Sequence, residues 1–440
     1  MERRDFIRFS AVSAAGLGLS SLISGSHSSL FGQSAPGSKV KVALIGCRSM
    51  GWSDLSAFLS YPQVECVALC DIDDTWLNRR AAEVEKATGK KVPNLYKDWR
   101  KVIDNKDVDV VINGTPDHWH CLPTIGACEA GKDVYCEKPL SNSIEECDLM
   151  VKAARRYGRI VQVGQWQRSD QHWNDAAAFV QSGKLGKVRT VKVWTYQDGK
   201  ATIPKVPDGK VPDGVDYNMW LGPAPLVPFN VNRFHYNFRF FWDYAGGLMS
   251  DWGVHLLDYA LAAMKVGLPS YVMSAGGKFA YPDDAMETPD TLMTTYRYPD
   301  FTLIWDHACG INHGLYNGQH GLAFFGENGT LVLDRSGWEV IPEKVSSGLR
   351  MEAVPFQKGL NKGLKTHVGN MLDCIVSRQL PNADVAIGAT VAKLTHLGNI
   401  SCRLQRALNW DDPKSAFVKD REANQLASAS YRNPWKLPKV

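Results

Sequence analysis

Five short apolar segments alternate with helical stretches between residues 39 and 165, and this alternation most constrains how the chain can fold. Continuous apolar runs of this length are typical of strands buried on both faces of a parallel sheet. The pattern predicts an α/β fold with a doubly wound parallel sheet, which binds ligands at the carboxyl ends of its strands. The segments are KVALIG at 41–46, VECVALCDID at 64–73, DVDVVINGTP at 107–116, KDVYCEKP at 132–139 and RIVQVGQ at 159–165.

A glycine turn follows the first segment, in the stretch KVALIGCRSMGW. It keeps the outer glycines of the dinucleotide-binding pattern G-x-G-x-x-G, but an arginine replaces the middle glycine, which lets the backbone approach a pyrophosphate. A guanidinium is itself a good phosphate ligand, so we interpret the arginine as a group that contacts the pyrophosphate and tightens cofactor retention. The turn residues expected at the cofactor are Gly46, Arg48, Ser49, Met50 and Gly51.

An acidic residue ends the second segment. Asp71 lies twenty residues beyond Gly51, where a carboxylate binds the ribose hydroxyls of NAD. Asp73 and Asp74 add negative charge, and the first basic residue, Arg79, comes several positions later. These carboxylates would repel a 2′-phosphate, so the sequence favours NAD over NADP.

Two longer motifs identify a family resemblance. The stretch GTPDHWHCLPTIGACEAGKDVYCEKPLS ends in the triplet Glu137-Lys138-Pro139, and FRFFWDYAGGLMSDWGVHLLDYAL carries Asp251 four residues before His255. E-K-P followed by D-x-x-x-H in this order resembles the Gfo/Idh/MocA oxidoreductase family, named for glucose-fructose oxidoreductase and inositol dehydrogenase. The resemblance covers nearly the whole chain after residue 37, including the C-terminal stretch DREANQLASASYRNPWKLP.

The resemblance implies a domain order. We expect a twin-arginine signal peptide and linker at 1–37, a Rossmann NAD-binding domain at 38–165, and a substrate and oligomerisation domain of α/β type at 166–410. A tail at 411–440 would pack on the body. The second domain would contain a large open, mostly antiparallel sheet, with one face over the cofactor cleft and the other available for a homo-oligomer. Residues 364–408 have a helical pattern and are expected to pack back on the first domain.

The resemblance also implies catalytic roles for Lys138, Asp251 and His255, and residue chemistry supports them. On one helix, Asp251 and His255 would point from the same face because they are four residues apart. A histidine suits removal of a hydroxyl proton while hydride leaves the carbon. The Lys138 ammonium would hold the substrate oxygen and stabilise alkoxide charge, while Asp251 would accept a hydrogen bond from a neighbouring hydroxyl.

Other residues are expected to line the same cleft. Thr115, Pro116, His120, Glu137 and Lys138 lie where the resemblance places the nicotinamide. Aromatic rings can stack on sugars and basic groups can bind hydroxyls, although packing between domains explains the same residues equally well. The candidate substrate residues are Trp119, Arg168, His172, Arg239, Trp242 and Tyr244.

Composition excludes several other classes of protein. A net charge of +4, without a basic cluster interleaved with aromatics, argues against a nucleic-acid partner. The N-terminal apolar run after Arg3-Arg4 is too short and too rich in Ser and Gly for a membrane span, so we predict a periplasmic or otherwise exported protein rather than an integral membrane protein. The ten cysteines show no metal-ligand spacing, and free buried thiols and no metal site are expected.

Three functions are compatible with these patterns. The first is oxidation or reduction of a sugar or polyol hydroxyl by a tightly bound NAD. The second is NAD-dependent cleavage of a glycoside, in which transient oxidation to a ketone acidifies the adjacent C–H for elimination. The third is a sugar-binding protein without redox activity, which the altered glycine turn favours and the intact set of Lys138, Asp251 and His255 argues against.

Overall fold

The computed structural model describes residues 39–197 and 202–440. The predicted export signal lies outside the described residues. None of the helices within the described ranges combines the length and the apolar character that a bilayer crossing requires. Two sheets organise these ranges, and each sheet packs against its own hydrophobic cores.

The first sheet has six parallel strands in the order β3-β2-β1-β4-β5-β6. Its central strands are buried on both faces, as continuous apolar runs predict. This order is that of a Rossmann sheet, and the predicted fold class is confirmed. The strands are β1 (Val40–Ile45), β2 (Val64–Cys70), β3 (Asn94–Tyr96), β4 (Val110–Asn113), β5 (Asp133–Cys136) and β6 (Val161–Val163). The helices between them are α1 (Ser49–Leu59), α2 (Asp74–Thr88), α3 (Trp99–Asp104), α4 (Cys121–Glu129) and α5 (Ile144–Arg156).

The second sheet has ten strands in the order β16-β13-β12-β11-β7-β10-β9-β8-β17-β18. Strands β7 and β10 pair in parallel and every other neighbouring pair is antiparallel, so the predicted mostly antiparallel sheet is confirmed. The longer strands are β7 (Thr190–Gln197), β8 (Tyr271–Gly277), β9 (Thr291–Arg297), β10 (Thr302–Cys309), β11 (His320–Phe325), β12 (Gly329–Leu333), β13 (Gly337–Pro342) and β16 (Val354–Lys358). Its two shorter strands are β17 (Leu408–Asp411) and β18 (Ala416–Phe417), and β14 (Lys344–Val345) and β15 (Gly348–Leu349) form a separate two-stranded sheet.

Helices cover one face of the second sheet and separate it from the first domain. The family resemblance led us to expect one face of this sheet directly over the cofactor cleft. Helices lie between the sheet and the first domain instead. The opposite face carries exposed apolar side chains, with Met273 and Met293 each 51% exposed, and an oligomer through this face stays a prediction. The remaining helices are α6 (Gln171–Gln181), α7 (Tyr217–Leu221), α8 (Gly247–Asp251), α9 (Gly253–Met264), α10 (Gly363–Ser377), α11 (Val385–Leu404) and α12 (Arg421–Ala427).

Two late helices complete the first domain. Val368, Met371 and Leu372 of α10 pack in the same core cluster as strand β1 and helix α1. Val385 and Ala389 of α11 join the cluster on the other side of the parallel sheet. The first core therefore depends on chain that follows it by about two hundred residues, and the two domains are tied together by packing as well as by the peptide chain.

Candidate active site

A cavity of about 430 Å³ lies at the carboxyl ends of strands β1, β2, β4 and β5. The first domain forms its floor, and residues between 219 and 239 form the opposite wall. The ends of parallel strands converge there, so side chains far apart in sequence meet at one edge of the sheet. This is the edge at which the strand pattern predicts a ligand.

Close backbone packing explains the glycines of the turn. Gly46 has a φ of 86°, and a Cβ atom there would lie 2.6 Å from the carbonyl oxygen of Gly114. A Cβ at Gly51 would lie 2.1 Å from the carbonyl oxygen of Gly46. Helix α1 begins directly after this turn with no acidic residue in its first turn. Its unpaired N–H groups and dipole suit a phosphate, so the turn fits a dinucleotide.

We expect Gly46→Ala to destabilise the protein by about 2–5 kcal/mol, because it adds a steric clash with backbone to the cost of a left-handed conformation. The matched control is Gly89→Ala, since Gly89 has a φ of 71° but no atom within 4 Å of its added Cβ. That control should cost about 1–2 kcal/mol. Denaturant unfolding of both variants measures the difference, and equal losses would contradict the proposed close packing at Gly46.

Asp71 lies at the end of β2 and lines the cavity. Its carboxylate accepts hydrogen bonds from the backbone N–H groups of Cys47, at 2.7 Å, and Asp73, at 3.0 Å. These bonds fix the carboxylate beside the glycine turn. Burial raises the pKa of Asp71 to about 6, while the two N–H groups oppose that rise. The position matches the predicted ribose-binding carboxylate, although its ionisation is more easily lost than that of an ordinary aspartate.

NAD affinity should therefore depend on pH. Ribose hydroxyls donate to an ionised carboxylate, so binding is expected to be full above pH 6 and to weaken by up to about tenfold per unit below it. Titration of the protein with NAD between pH 7.5 and 5 measures this slope. Asp71→Asn removes the titrating group and should flatten the curve. An unchanged slope in that variant would assign the pH dependence to another group.

Arg48 lines the cavity, as predicted, near Asp71. Its guanidinium lies over the ring of Trp76, 4.6 Å from the centroid, and is attracted by Asp71 and Asp73. These partners hold the side chain near the end of β2, and its contact with a pyrophosphate stays a prediction. A stack of Arg48 on Trp76 forms a wall where the adenosine half of a dinucleotide would lie.

A segment of the second domain closes the same end. Val215 forms a β-bridge with Asp73, and the N–H of Asp74 donates to the carbonyl oxygen of Gly214 at 3.2 Å. His235 Nε2 lies 3.3 Å from the Asp73 carboxylate. These contacts join the two walls of the cavity, so a dinucleotide bound there would be enclosed by both domains.

The nicotinamide end is built on the loops after β4 and β5. Thr115, Pro116, Trp119 and Glu137 line the cavity as predicted. Trp119 donates from Nε1 to the carbonyl oxygen of Trp220 at 3.0 Å, and Trp435 of the C-terminal tail packs edge-on against its ring at 4.9 Å. The tail thus supports the wall of the cavity from behind.

His120 does not line the cavity. It is fully buried, and its ring nitrogens lie 2.6 Å from the carbonyl oxygen of Pro139 and 2.8 Å from that of Thr115. Burial lowers the pKa of His120 to about 4. The prediction of a cofactor contact is corrected to a bracing role, because both ring nitrogens are occupied by the two loops that carry Thr115 and Lys138.

Lys138 and Asp251 meet across the domain boundary. The ammonium of Lys138 donates to the Asp251 carboxylate at 2.6 Å and to its backbone oxygen at 3.1 Å, and Arg239 lies 3.5 Å from the same carboxylate. Asp117 lies beside this group, and burial raises its pKa to about 7 against the opposing charges of Arg239 and Lys138. The structure thus brings the predicted lysine and aspartate together and adds Asp117 to them.

His255 lies next to this group but not on the same helix as Asp251. Helix α8 ends at Asp251 and α9 begins at Gly253, so the predicted single helix is wrong and a break separates the two residues. His255 Nδ1 lies 2.8 Å from the side-chain oxygen of Gln167, which places the proton on Nδ1 and leaves the Nε2 lone pair free of described partners. Burial, with the nearby charges of Lys138 and Arg335, lowers the pKa of His255 well below its ordinary value. The imidazole is therefore neutral and able to accept a proton.

Two family profiles match this chain. One, described as the oxidoreductase family with an NAD-binding Rossmann fold, matches residues 40–165, and the other, described as its C-terminal alpha/beta domain, matches residues 163–267 and 344–437. The chain belongs to the Gfo/Idh/MocA oxidoreductase family. The predicted family and the predicted NAD-binding domain are therefore confirmed.

Curated relatives of this Gfo/Idh/MocA protein match only part of the chain. A "Glycosyl hydrolase family 109 protein" of Shewanella putrefaciens is 30% identical over 172 residues, which is 36% of this chain and 37% of the relative. "Inositol 2-dehydrogenase 2" of Saccharopolyspora erythraea is 28% identical over 194 residues, which is 43% of this chain and 55% of the relative. The chain thus spans about 37% to 55% of the length of these two relatives.

Solved structures of similar fold cover more of the chain. A levoglucosan dehydrogenase, solved with NADH and levoglucosan, has a TM-score of 0.62 at 19% identity, and the match covers 84% of this chain and 99% of that one. An aldose-aldose oxidoreductase from Caulobacter crescentus, solved with glycerol, has a TM-score of 0.63 at 20% identity over 84% of this chain and 99% of that one. At these identities the likeness establishes the fold shared with the Gfo/Idh/MocA protein described here.

Four predicted substrate residues of this Gfo/Idh/MocA protein contact other protein groups and do not line the cavity. Arg168 forms a bidentate pair with buried Asp258, and the ring of His172 lies 3.2 Å from the carbonyl oxygen of Asp334. Trp242 donates to the backbone oxygen of Glu287, and Tyr244 is fully buried against neighbouring aromatic rings. Of the predicted substrate residues, Trp119 and Arg239 line the cavity. The side chains of the other four are held by partners that are close in space but distant in sequence.

Several other site residues of this Gfo/Idh/MocA chain have only weak signals in the sequence. Gln167 directly precedes Arg168. Two contacts hold Gln167 against α9: the ion pair of its neighbour Arg168 with Asp258, and a hydrogen bond of 2.6 Å from the Tyr259 hydroxyl to the Gln167 backbone oxygen. Asp117 follows the Thr115-Pro116 dipeptide directly, so proximity to that motif could have identified it. Trp252 follows Asp251 directly, so proximity to that motif could have identified it. Trp166 and Arg335 carry no local signal, because only the tertiary structure brings them beside His255.

Proposed function

We propose that this protein transfers hydride between a sugar or polyol hydroxyl and a tightly held NAD. The observation that carries the proposal is the group at the nicotinamide end of the cavity, where Lys138 is paired with Asp251 and His255 is oriented by Gln167. The names of the inositol dehydrogenase relative and of the levoglucosan dehydrogenase neighbour support a carbohydrate substrate.

The chain's own residues can manage the proton and the charge. NAD, when bound, supplies the hydride acceptor. His255 Nε2 takes the proton of the substrate hydroxyl as hydride leaves the carbon that bears this hydroxyl. The alcohol becomes a ketone or aldehyde. The Lys138 ammonium donates to the reacting oxygen and stabilises its negative charge. Asp251 holds the ammonium in place and can accept from a neighbouring hydroxyl.

The closed ribose end supports slow exchange of the cofactor. The bridge between Asp73 and Val215 and the contact between His235 and Asp73 would have to open before a dinucleotide could leave. A retained cofactor needs a second substrate to reoxidise it in each cycle. We therefore propose that NAD(H) is found in the purified protein, which mass spectrometry of the denatured sample would test. Absence of the dinucleotide, with no binding of added NAD, would overturn tight retention.

Cleavage of glycosides is the second candidate. The glycosyl hydrolase family 109 relatives favour it, since their names assign cleavage to proteins that match 36% of this chain. Both candidates begin with oxidation of a sugar hydroxyl. They differ in product, because cleavage releases an aglycone and leaves NAD oxidised at the end of the cycle.

One experiment separates the candidates. The NAD-loaded protein is incubated with free sugars, polyols and a library of aryl glycosides, while absorbance at 340 nm and free aglycone are followed together. Net NADH without aglycone supports the dehydrogenase, and aglycone without net NADH supports the glycosidase. Binding of sugars with neither product supports a redox-inactive sugar-binding protein.

We also propose export by the twin-arginine pathway. The N-terminal sequence, with Arg3-Arg4 before a short run rich in Ser and Gly, supports it. Folding before export suits a protein that carries its cofactor with it. Cell fractionation of the wild type and of Arg3→Lys/Arg4→Lys tests the proposal, and an unchanged cytoplasmic distribution in both would overturn it.

A further inference from the structure

Arg335 brings an additional positive charge to the site. It lies in the turn after β12, and the register that pairs Leu322 with Leu333 places this turn at the same end of the sheet as His320, the first residue of β11. Arg335 lies close enough to His255 that its charge helps to lower the pKa of the imidazole. The end of the sheet, rather than its face, therefore contributes to the region around the proposed base.

The guanidinium of Arg335 lies between two indole rings. Its central carbon is 5.2 Å from the centroid of Trp166 and 4.7 Å from that of Trp252. Its Nε is buried and has no hydrogen-bond partner among the described residues. No carboxylate in the described ranges lies within salt-bridge distance of it, and the attraction of Asp251 is felt only at longer range. The stack holds the side chain rigidly without neutralising its charge.

Three other basic side chains near His255, among the residues that the structure describes, are paired with carboxylates. Lys138 and Arg239 both contact Asp251, and Arg168 is bound by Asp258. Arg335 differs from these three groups. Its half-buried guanidinium contacts aromatic rings, whereas their charged groups contact carboxylates. A cation held in this way at a binding site is arranged to meet an anion that comes with the ligand.

The proposed base and this cation share the same two rings. The ring of His255 lies 6.3 Å from that of Trp166 and 6.5 Å from that of Trp252. A single monosaccharide that reaches both residues could therefore place a hydroxyl at His255 Nε2 and an anionic group at Arg335.

We infer that the substrate is a monosaccharide unit that carries a carboxylate, which Arg335 binds between Trp166 and Trp252. The inference rests on the proposed redox function and names the substrate class of that same site. A carboxylate fits better than a phosphate, since one planar guanidinium matches one carboxylate in both charge and geometry. The carboxylates of Asp251 and Asp117 nearby would oppose a dianion.

The test compares D-glucuronate and D-galacturonate with their uncharged amides and with glucose and galactose. Binding to the NAD-loaded protein is measured by calorimetry and turnover by NADH formation. We expect each uronate to bind about 10- to 100-fold more tightly than its amide, as for a charge-assisted hydrogen bond. Arg335→Met should abolish this preference and leave the affinity for the amides within about threefold, and Arg335→Lys should retain part of it.

A matched control removes a similar stack outside the site. Arg297 lies over the ring of Tyr271, at 4.7 Å, on the second sheet. Arg297→Met should keep the preference for uronates unchanged. This variant separates loss of an anion-binding group from general loss of an arginine–aromatic contact.

Equal binding of uronates and amides would overturn the inference, and so would equal loss of both in Arg335→Met. Failure of both uronates to bind would also overturn it. NADH formed equally from charged and uncharged sugars would overturn the inference while supporting the redox function. Uronate binding that depends on Arg335, without any NADH, would support the inference while overturning the redox function.

Discussion

Lys138→Met is expected to lower kcat/KM by about 10³-fold while the protein stays folded and still binds NAD. The ammonium lies 2.6 Å from the Asp251 carboxylate at the nicotinamide end of the cavity. Methionine keeps most of the side-chain volume but cannot donate to the reacting oxygen. Loss of one preorganised donor to a developing oxyanion costs about 10²–10³-fold, and the disturbed placement of Asp251 adds to it. Steady-state kinetics with the substrate found in the sugar screen measures the effect.

Lys393→Met is the matched control for this variant. Lys393 is also a mostly buried lysine, 11% exposed, and it pairs with Asp148 away from the cavity. Its removal should reduce stability to a similar extent but leave kcat/KM close to that of the wild type. If Lys138→Met also kept the wild-type rate, the role that the family resemblance implies for this lysine would not apply to this chain.

His255→Asn is expected to lower kcat for alcohol oxidation by about 10²–10⁴-fold, the range typical of a lost general base. The asparagine amide can still donate to the Gln167 side-chain oxygen, which His255 Nδ1 contacts at 2.8 Å, but it offers no base in the position of Nε2. Since the pKa of His255 lies below its ordinary value, the wild-type base is neutral at pH 6.5 and above and is lost only at lower pH. The pH profile of kcat in both proteins tests this sign.

His396→Asn controls for the loss of a buried neutral imidazole. His396 is buried in α11, its Nε2 lies 3.1 Å from the carbonyl oxygen of Ser141, and burial lowers its pKa to about 4. This variant should lose stability without the loss of kcat. Gln167→Leu should show a smaller loss than His255→Asn, because the base remains but its orientation is no longer fixed. A wild-type kcat in His255→Asn would assign the base to another group, with Asp117 the first to examine.

The two variants together test a division of labour within the site. Lys138 is expected to act on the reacting oxygen, and His255 on its proton. If so, the pH dependence should disappear in His255→Asn but persist in Lys138→Met. A pH profile that is flat in both variants would show that the two groups act as a single unit.

The cofactor half of the site could be predicted from residues that directly follow the predicted strands. Gly46 and Asp71 follow apolar strands directly, and the carboxyl ends of parallel strands meet at one edge. Their positions were therefore predictable from strand order alone. The direction of the Arg48 side chain could not be predicted in the same way, because it depends on Trp76, a residue of the next helix.

The substrate half was much less predictable. Arg168 and Gln167 are neighbours, and the chemistry of arginine made Arg168 the better candidate from sequence. In the folded protein Asp258 neutralises Arg168, and Gln167 orients His255. The helix break at Trp252 was likewise not predictable. No proline marks it, and the glycine that follows, Gly253, begins the next helix rather than ending the previous one.

The sequence by itself determined the Rossmann sheet, the glycine turn, the ribose carboxylate and the presence of the Lys138, Asp251 and His255 motifs. Each depends on short-range periodicity or on a turn that only certain residues can make. Only the tertiary structure decided which charges remain unpaired. Arg168 and Arg335 are equally basic in the sequence, but one is bound by Asp258 and the other by two indole rings. Partner choice is made by packing between elements far apart in the chain, and no local pattern encodes it.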